Sequence, residues 1–230
     1  MTTERGKMVV IDGGDSSGKE IQSKRLVNYL KTQGFQIAFL DFPQYEEFNG
    51  KVVGEYLAGV FGDVNEVHPK LTSYPYAVDR FTRRDEINGW RENGIMVVCN
   101  RYVSSSLAFM SAKLPESERE NFIKWEEELE YKVLGVPKED LVIFLHVPAK
   151  IGQELTYKKD EKPYMKGKGR GDIHERNLKF LEEAIKQHQW LTDHRDNFEV
   201  VECIHDGQLR SIDDIHTEVV DILQRRGIVK

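Results

Sequence analysis

The chain has 230 residues, 39% hydrophobic and 31% charged, which are the proportions of a soluble globular protein long enough for one α/β domain with insertions. Its formal net charge of −6 gives no sign of nucleic acid or an anionic membrane as partner. No apolar run approaches the roughly 18 residues of a membrane span, and nothing at the N-terminus reads as a signal peptide. The expectation is therefore a cytoplasmic protein. Cys99 and Cys203 then read as small buried thiols, since they share no metal-ligand spacing.

Taken in chain order, short apolar runs alternate with longer amphipathic ones. Lys7–Ile11 (KMVVI) runs into Asp-Gly-Gly and reads as a buried central strand. Lys19–Lys31 follows as a helix with Ile21, Leu26, Val27 and Leu30 near one face, stopped at Gly34. Gln36–Phe42 is a second strand closed by Pro43. Helices are expected over Lys51–Leu57 and Lys70–Asn93, and a third strand over Ile95–Asn100. Glu116–Leu134 places Phe122, Trp125, Leu129 and Val133 at helical spacing. Leu141–Val147 and Phe198–Ile204 read as the fourth and fifth strands, with a helix around Asp172–Thr192 between them. A last helix over Ser211–Arg226 has an N-cap at Ser211. Strands separated by helices mean βαβ units, hence a parallel sheet covered on both faces.

The stretch IDGGDSSGKE, residues 11–20, carries most of the chemistry. It follows a strand, opens a helix and matches G-x-x-x-x-G-K at Gly13, Gly18 and Lys19. Glycines let successive backbone N–H groups converge on phosphate oxygens, the helix N-terminus adds partial charge and Lys19 a full one. The stretch Gly13, Gly14, Asp15, Ser16, Ser17, Gly18, Lys19 and Glu20 is thus the expected nucleotide-phosphate site, which the resemblance given below assigns to ATP. Asn100 and Arg101 end the third strand, where open parallel sheets bind ligands. Arg101 there suits a phosphate, with a structural ion pair as the alternative. Tyr76 and Arg80 lie one helical turn apart and suit stacking on a base and donating to its carbonyl, although core aromatics and surface arginines are also common. The segment Lys158–Gly171 holds six basic and two acidic residues with three glycines, and reads as either a solvated loop or a mobile lid closing over phosphates. The histidines show no metal-ligand pattern; His68, His188, His194 and His216 are expected at the surface.

Five ordered motifs, DGGDSSGKEIQ, DFPQY, AVDRF, NRYVSSSLAF and the basic segment followed by DIHE, resemble the thymidylate kinase family of P-loop nucleoside monophosphate kinases. The resemblance runs from Met8 to about Ile222. It implies a P-loop three-layer sandwich: a five-stranded parallel sheet flanked by helices, residues 1–230 as one domain, and a short mobile lid at about 158–171. It also implies phosphorylation of dTMP to dTDP with ATP and Mg2+, and a homodimer. The runner-up readings are a kinase for another nucleoside monophosphate or a deoxynucleoside, and a nucleotide-binding protein without turnover.

The resemblance implies roles at matching positions. Asp15 would touch the acceptor's 3′-hydroxyl, and Phe42, Pro43 and Ser105 would line the acceptor site. Tyr76, in place of the usual phenylalanine, would stack on thymine and Arg80 would bind its carbonyl. Arg101 would hold the acceptor phosphate, and Phe109 would disfavour a 2′-hydroxyl. Lys19 and Arg101 are the expected catalytic cations of the core. Ser16 stands where some members carry an arginine, so a further cation is expected in the lid, among Lys166, Lys168 and Arg170. Four positions depart from the family pattern: Glu20 for a hydroxyl residue, Asn100 for an aspartate, Tyr45 for an arginine and Met110 for a glutamine. Glu20 and Asn100 are the expected metal-facing pair, with a solvent-facing Glu20 as the alternative.

Overall fold

The computed structural model describes residues 4–159, 162–166 and 171–229. Its centre is strand β1 (Met8–Gly13), six residues all buried. Alternation along β1 sends Val9 and Ile11 to one face and Met8 and Val10 to the other, so one strand feeds two apolar layers. The remaining strands of the sheet are β2 (Ile37–Asp41), β3 (Met96–Asn100), β4 (Leu141–His146) and β5 (Phe198–Glu202). All pair in parallel, in the order β2-β3-β1-β4-β5.

Helix α1 (Lys19–Thr32) lays Leu26 and Leu30 against Val9 and Ile11, beside α9 (Ile212–Arg225) with Val219 and Leu223. On the opposite face α5 (Val103–Ser111) and α8 (Leu178–His194) bring Leu107 and Leu191 to Val10 and Val97. A third apolar cluster joins α2 (Phe48–Leu57) to Phe109 and Phe180. Cys99 and Cys203 are buried free thiols within the sheet layers, as expected.

The element boundaries show where periodicity misleads. The expected helix over 70–93 is two, α3 (Pro69–Phe81) and α4 (Arg84–Glu92). At the break the Thr82 hydroxyl donates to the Asp79 carbonyl at 2.7 Å, and the Arg83 N–H closes a tight turn to Arg80. The helix expected at 51–57 starts earlier, at Phe48. The helix expected over 116–134 is regular only as α6 (Glu116–Glu127), then widens into a π turn over Glu128–Val133. The helix expected from Asp172 starts instead at Leu178, where the Asn177 side chain accepts from the Phe180 N–H at 3.1 Å. Before it, Asp172 Oδ1 accepts from the N–H groups of His174 and Glu175, folding those residues into a turn. The fifth strand ends at Glu202, and Ile204–His205 (β6) pairs with Gln208–Leu209 (β7) as a separate hairpin. Two short helices, α5 and α7 (Ala149–Thr156), were not expected from the sequence. Ser211 caps α9 as expected, accepting from the Asp214 N–H at 3.0 Å.

Candidate active site

The phosphate loop runs from β1 into α1 through backbone that few residues adopt. Gly13 has φ +152°, and a Cβ there would lie 2.6 Å from Ser17 Oγ and 2.8 Å from the Leu145 carbonyl. Gly18 has φ +86°, and Ser16, a non-glycine, holds φ 59°. Lys19 donates to the Gly14 carbonyl at 3.0 Å and lies 3.5 Å from Asp15 Oδ1, so the ammonium is folded over its own loop. Burial, and then the Arg101 cation, pull its pKa down to about 7.

Arg101 follows β3 with φ 62°, a second strained non-glycine. Its guanidinium donates to Asp15 Oδ1 at 2.5 Å and to the Gly13 carbonyl at 3.2 Å, and it lies over the Phe109 ring at 5.3 Å. Behind it the buried Asp12 accepts from the hydroxyls of Ser104 and Ser105, with the Arg101 Nη1 at 3.8 Å. Burial opposes that negative charge, yet His188, Arg101 and Ser104 outweigh it and hold the Asp12 carboxyl well below the usual range. His188 is a correction to the sequence reading. It is not at the surface but 1% exposed, with Nε2 3.6 Å from Asp12 Oδ1 and its ring stacked on Phe144. His216 is half-buried, while His68 and His194 are exposed.

Two cavities meet at this point. One is lined by Asp15, Phe42, Pro43, Tyr76, Arg80, Arg101, Ser105 and Phe109, which are the expected acceptor residues. The other is lined by Asp15, Ser16, Gly18, Lys19, Glu20 and Asn100, from the expected donor set. Asp15 and Lys162 line both.

Arg80 is 2% exposed and paired with the fully buried Glu130, which the π turn after α6 presents to it. Its Nε and Nη2 donate to Glu130, Nη2 also to Ser106 Oγ at 2.7 Å, and Nη1 to the Tyr102 carbonyl at 3.3 Å. Of the five N–H groups of a guanidinium, four are thereby taken, and one Nη1 N–H has no partner among the described residues. On the far wall Phe109 stacks on His174 with centroids 5.8 Å apart. Burial lowers the His174 pKa to about 4, so this wall is neutral at physiological pH. The Tyr45 ring packs against Tyr164 of the lid in a tilted arrangement at 4.8 Å, and the Tyr164 hydroxyl donates to Asp172 at 2.8 Å.

Within the lid, Lys168 and Arg170 lie outside the described residues. Lys166 is exposed and lines neither cavity. Lys162 lines both cavities and Lys159 lines the second, and sequence reasoning passed over both. The Lys162 Nζ lies 3.4 Å from Asp15, 3.1 Å from Asp172 and 2.7 Å from Glu175. Those three carboxylates come close enough to hold a cation, and Lys162 is the one they hold. Burial opposes its charge, but Asp15, Asp172 and Glu175 outweigh it and keep its pKa well above the usual lysine range. Among six basic residues in one loop, nothing in the sequence distinguishes Lys162.

On the donor side the Glu20 carboxylate accepts from Lys24 at 2.6 Å, and both side chains are 61% exposed. Asn100 is buried and its Nδ2 donates to Asp41 Oδ1 at 2.8 Å.

A glycine-lined phosphate cradle, joined through one arginine and one lid lysine to a second, partly aromatic cavity, defines a P-loop enzyme that moves a phosphoryl group between two bound molecules. The family model for thymidylate kinase matches residues 11–206. The chain belongs to the thymidylate kinase family, and is an ATP-dependent nucleoside monophosphate kinase. It is 30% identical to the thymidylate kinase of Plasmodium falciparum over 217 residues, 94% of this chain and 89% of that one. With the thymidylate kinase of Schizosaccharomyces pombe it shares 26% over 225 residues, 97% and 94% of the two chains. The fold is similar to the solved thymidylate kinase of Candida albicans, with a TM-score of 0.74 at 20% identity over 97% of this chain and 93% of that one.

Proposed function

We propose that the two cavities divide the substrates of one reaction, with ATP on the phosphate loop and dTMP between Tyr76, Arg80 and Phe109. The reaction is phosphorylation of dTMP to dTDP. Phosphoryl transfer needs position and charge neutralisation more than covalent help. Lys19 and the loop N–H groups take the donor phosphates, and Arg101 the acceptor phosphate. Asp15 takes the 3′-hydroxyl, Phe42, Pro43 and Ser105 complete the acceptor wall, and Phe109 crowds a 2′-hydroxyl. The free N–H of Arg80 suits a base carbonyl and would be wasted on an exocyclic amine. Lid cations neutralise the group in flight. Lys162 is favoured for this over Lys166 because it lines both cavities, while Lys168 and Arg170 lie outside the described residues.

Magnesium is the metal ion that the family implies, and the donor side fits it. Asn100 Oδ1, a hard oxygen, is buried without a hydrogen-bond partner on the cavity wall. When bound, the ion supplies neutralisation of donor phosphate charge.

The assembly is a homodimer, supported by exposed apolar side chains on the adjacent helices α2 and α3, where Phe48 is 79% and Leu71 66% exposed. The protein works in the cytoplasm, a compartment that suits its two free buried thiols. Among the described residues no helix is long and apolar enough to cross a membrane.

The observation that carries the substrate reading is Arg101, held by Asp15 where the two cavities meet. A coupled assay of ADP release with ATP and a panel of nucleoside monophosphates tests it. The expected result is dTMP among the best acceptors. Preference for a purine monophosphate would overturn the reading, and turnover of none would leave a nucleotide-binding protein.

A further inference from the structure

His188 lies on α8 behind the site and lines neither of the two substrate cavities. Its ring is nevertheless tightly fixed. It stacks on Phe144 of β4 with centroids 4.7 Å apart and meets the Phe109 ring edge-on at 5.6 Å. Phe109 in turn lies under the Arg101 guanidinium. The His188 Nδ1 is 2.9 Å from the Ala184 carbonyl, one helical turn earlier. A carbonyl only accepts, so Nδ1 carries a proton. That leaves Nε2, which is buried with no hydrogen-bond partner among the described residues.

Nε2 faces Asp12 Oδ1 at 3.6 Å, too far for a hydrogen bond but close enough for charge to matter in a dry interior. A lone pair on Nε2 would confront an oxygen that carries lone pairs of its own. A proton there turns the contact into an attraction. Asp12 Oδ1 already accepts from the Gly13 N–H at 2.7 Å and the Ser105 hydroxyl at 2.6 Å, and Oδ2 accepts from Ser104. These three donors are neutral, so they satisfy the oxygens and leave the charge. Arg101 Nη1 lies 3.8 Å from the same Oδ1. Two cationic groups thus compete for one carboxylate. With His188 charged, Asp12 is balanced from behind, and Arg101 answers only to Asp15, which Lys19 and Lys162 share. With His188 neutral, Asp12 draws on Arg101 alone.

We propose that His188 is a positioning residue for the acceptor phosphate: its protonated Nε2 balances Asp12 and so keeps the Arg101 guanidinium available to the phosphate. The proposal rests on the reading that Arg101 holds the acceptor phosphate.

The test uses the full chain, with kcat and the KM for dTMP and for ATP from steady-state kinetics, and with the ring nitrogens of His188 read by 15N nuclear magnetic resonance. In the unaltered protein two protonated ring nitrogens are expected, and an unprotonated Nε2 overturns the proposal without any substitution. His188→Phe keeps a ring between Phe144 and Phe109 but removes the proton and the charge. It should raise the KM for dTMP about tenfold, within the range of coupling between neighbours in contact, and change the KM for ATP much less. Adding Asp12→Asn removes the charge that then draws on Arg101, and should recover most of the lost KM for dTMP. A packing role alone predicts no such recovery. Equal losses for both substrates, or no recovery in the double variant, overturn the proposal. Turnover of other nucleoside monophosphates but not of dTMP by the unaltered protein would instead overturn the acceptor reading, and the ring measurement would still decide the charge of His188.

Discussion

At Lys19 two physical effects compete. Burial disfavours the ammonium and Arg101 repels it, so its pKa falls to about 7, while bound phosphates would restore the charge. The sign follows directly. Above pH 7 the free protein holds Lys19 largely deprotonated, and a triphosphate raises its pKa again. Nucleotide binding near pH 8 should therefore take up a proton, and binding near pH 6 should not. Calorimetry in buffers of different ionisation enthalpy reads this, and an apparent enthalpy independent of buffer at the higher pH contradicts it. Arg80 illustrates the opposite case. Its charge is secured by Glu130, and losing either partner would strand the other's buried charge at a cost of about 3–5 kcal/mol. Glu130 thus orients the Arg80 guanidinium on the cavity wall as well as neutralising it.

Two elements do work that their local sequence does not advertise. The π turn over Glu128–Val133 offsets the side chains that follow α6, and in that register Glu130 points inward to Arg80. A continuous helix, as the spacing of Phe122, Trp125, Leu129 and Val133 implies, would not have marked Glu130 out. The lid is the second such element. Pro163–Met165 forms a short helical turn whose Tyr164 packs at a tilt against Tyr45, and Gly54 leaves room for it, since a Cβ there would lie 3.1 Å from Tyr164 Cβ. Tyr45, which replaces an arginine of the family pattern, thus becomes a docking ring for the lid, and the cation arrives from the lid as Lys162. Lys162→Ala should lower turnover by about 10³ or more, the scale of cations that stabilise transferring phosphoryl groups, with ADP affinity largely retained. Lys166→Ala should be mild, and Lys162→Arg should recover part of the rate. Steady-state kinetics with both substrates saturating checks this, and unchanged turnover in Lys162→Ala removes the residue from the mechanism.

For the whole molecule, the sheet order puts β1 between β3 and β4, so the phosphate loop and Arg101 leave neighbouring strand ends. The cavity lined by Tyr76, Arg80, Arg101 and Phe109 then forms where α3, α5 and the segment around Lys162 converge on that edge. The exposed face bearing Phe48, Leu71 and Tyr74 lies on α2 and α3, whose inner sides help wall this cavity. A stable dimer needs roughly 1,200–2,000 Å² of buried surface, and a helix pair of this size suits it. Sedimentation velocity should find two chains per particle, and Leu71→Glu should shift the population toward single chains. A monomer at all concentrations would exclude the dimer.

Much of this was legible in the chain itself. The glycine spacing of 13–18, the apolar strand before it and the helix after it are local patterns, and local patterns follow from backbone geometry that neighbours in sequence enforce. The strands were found within a residue or two because buried parallel strands are near-continuous apolar runs. Arg101, Tyr76 and Arg80 were legible from their positions and residue types, whereas Phe42, Pro43, Ser105 and Phe109 came only through the resemblance; the structure collects all of them in one cavity. What tertiary structure alone decided are pairings across the sequence: Arg80 with Glu130, Lys162 with Asp15, Asn100 with Asp41, and buried His188 beside Asp12. Each joins residues some 50 to 180 positions apart. Their energies come from burial and charge at distances that only the folded sheet sets, and no spacing rule in the sequence encodes them.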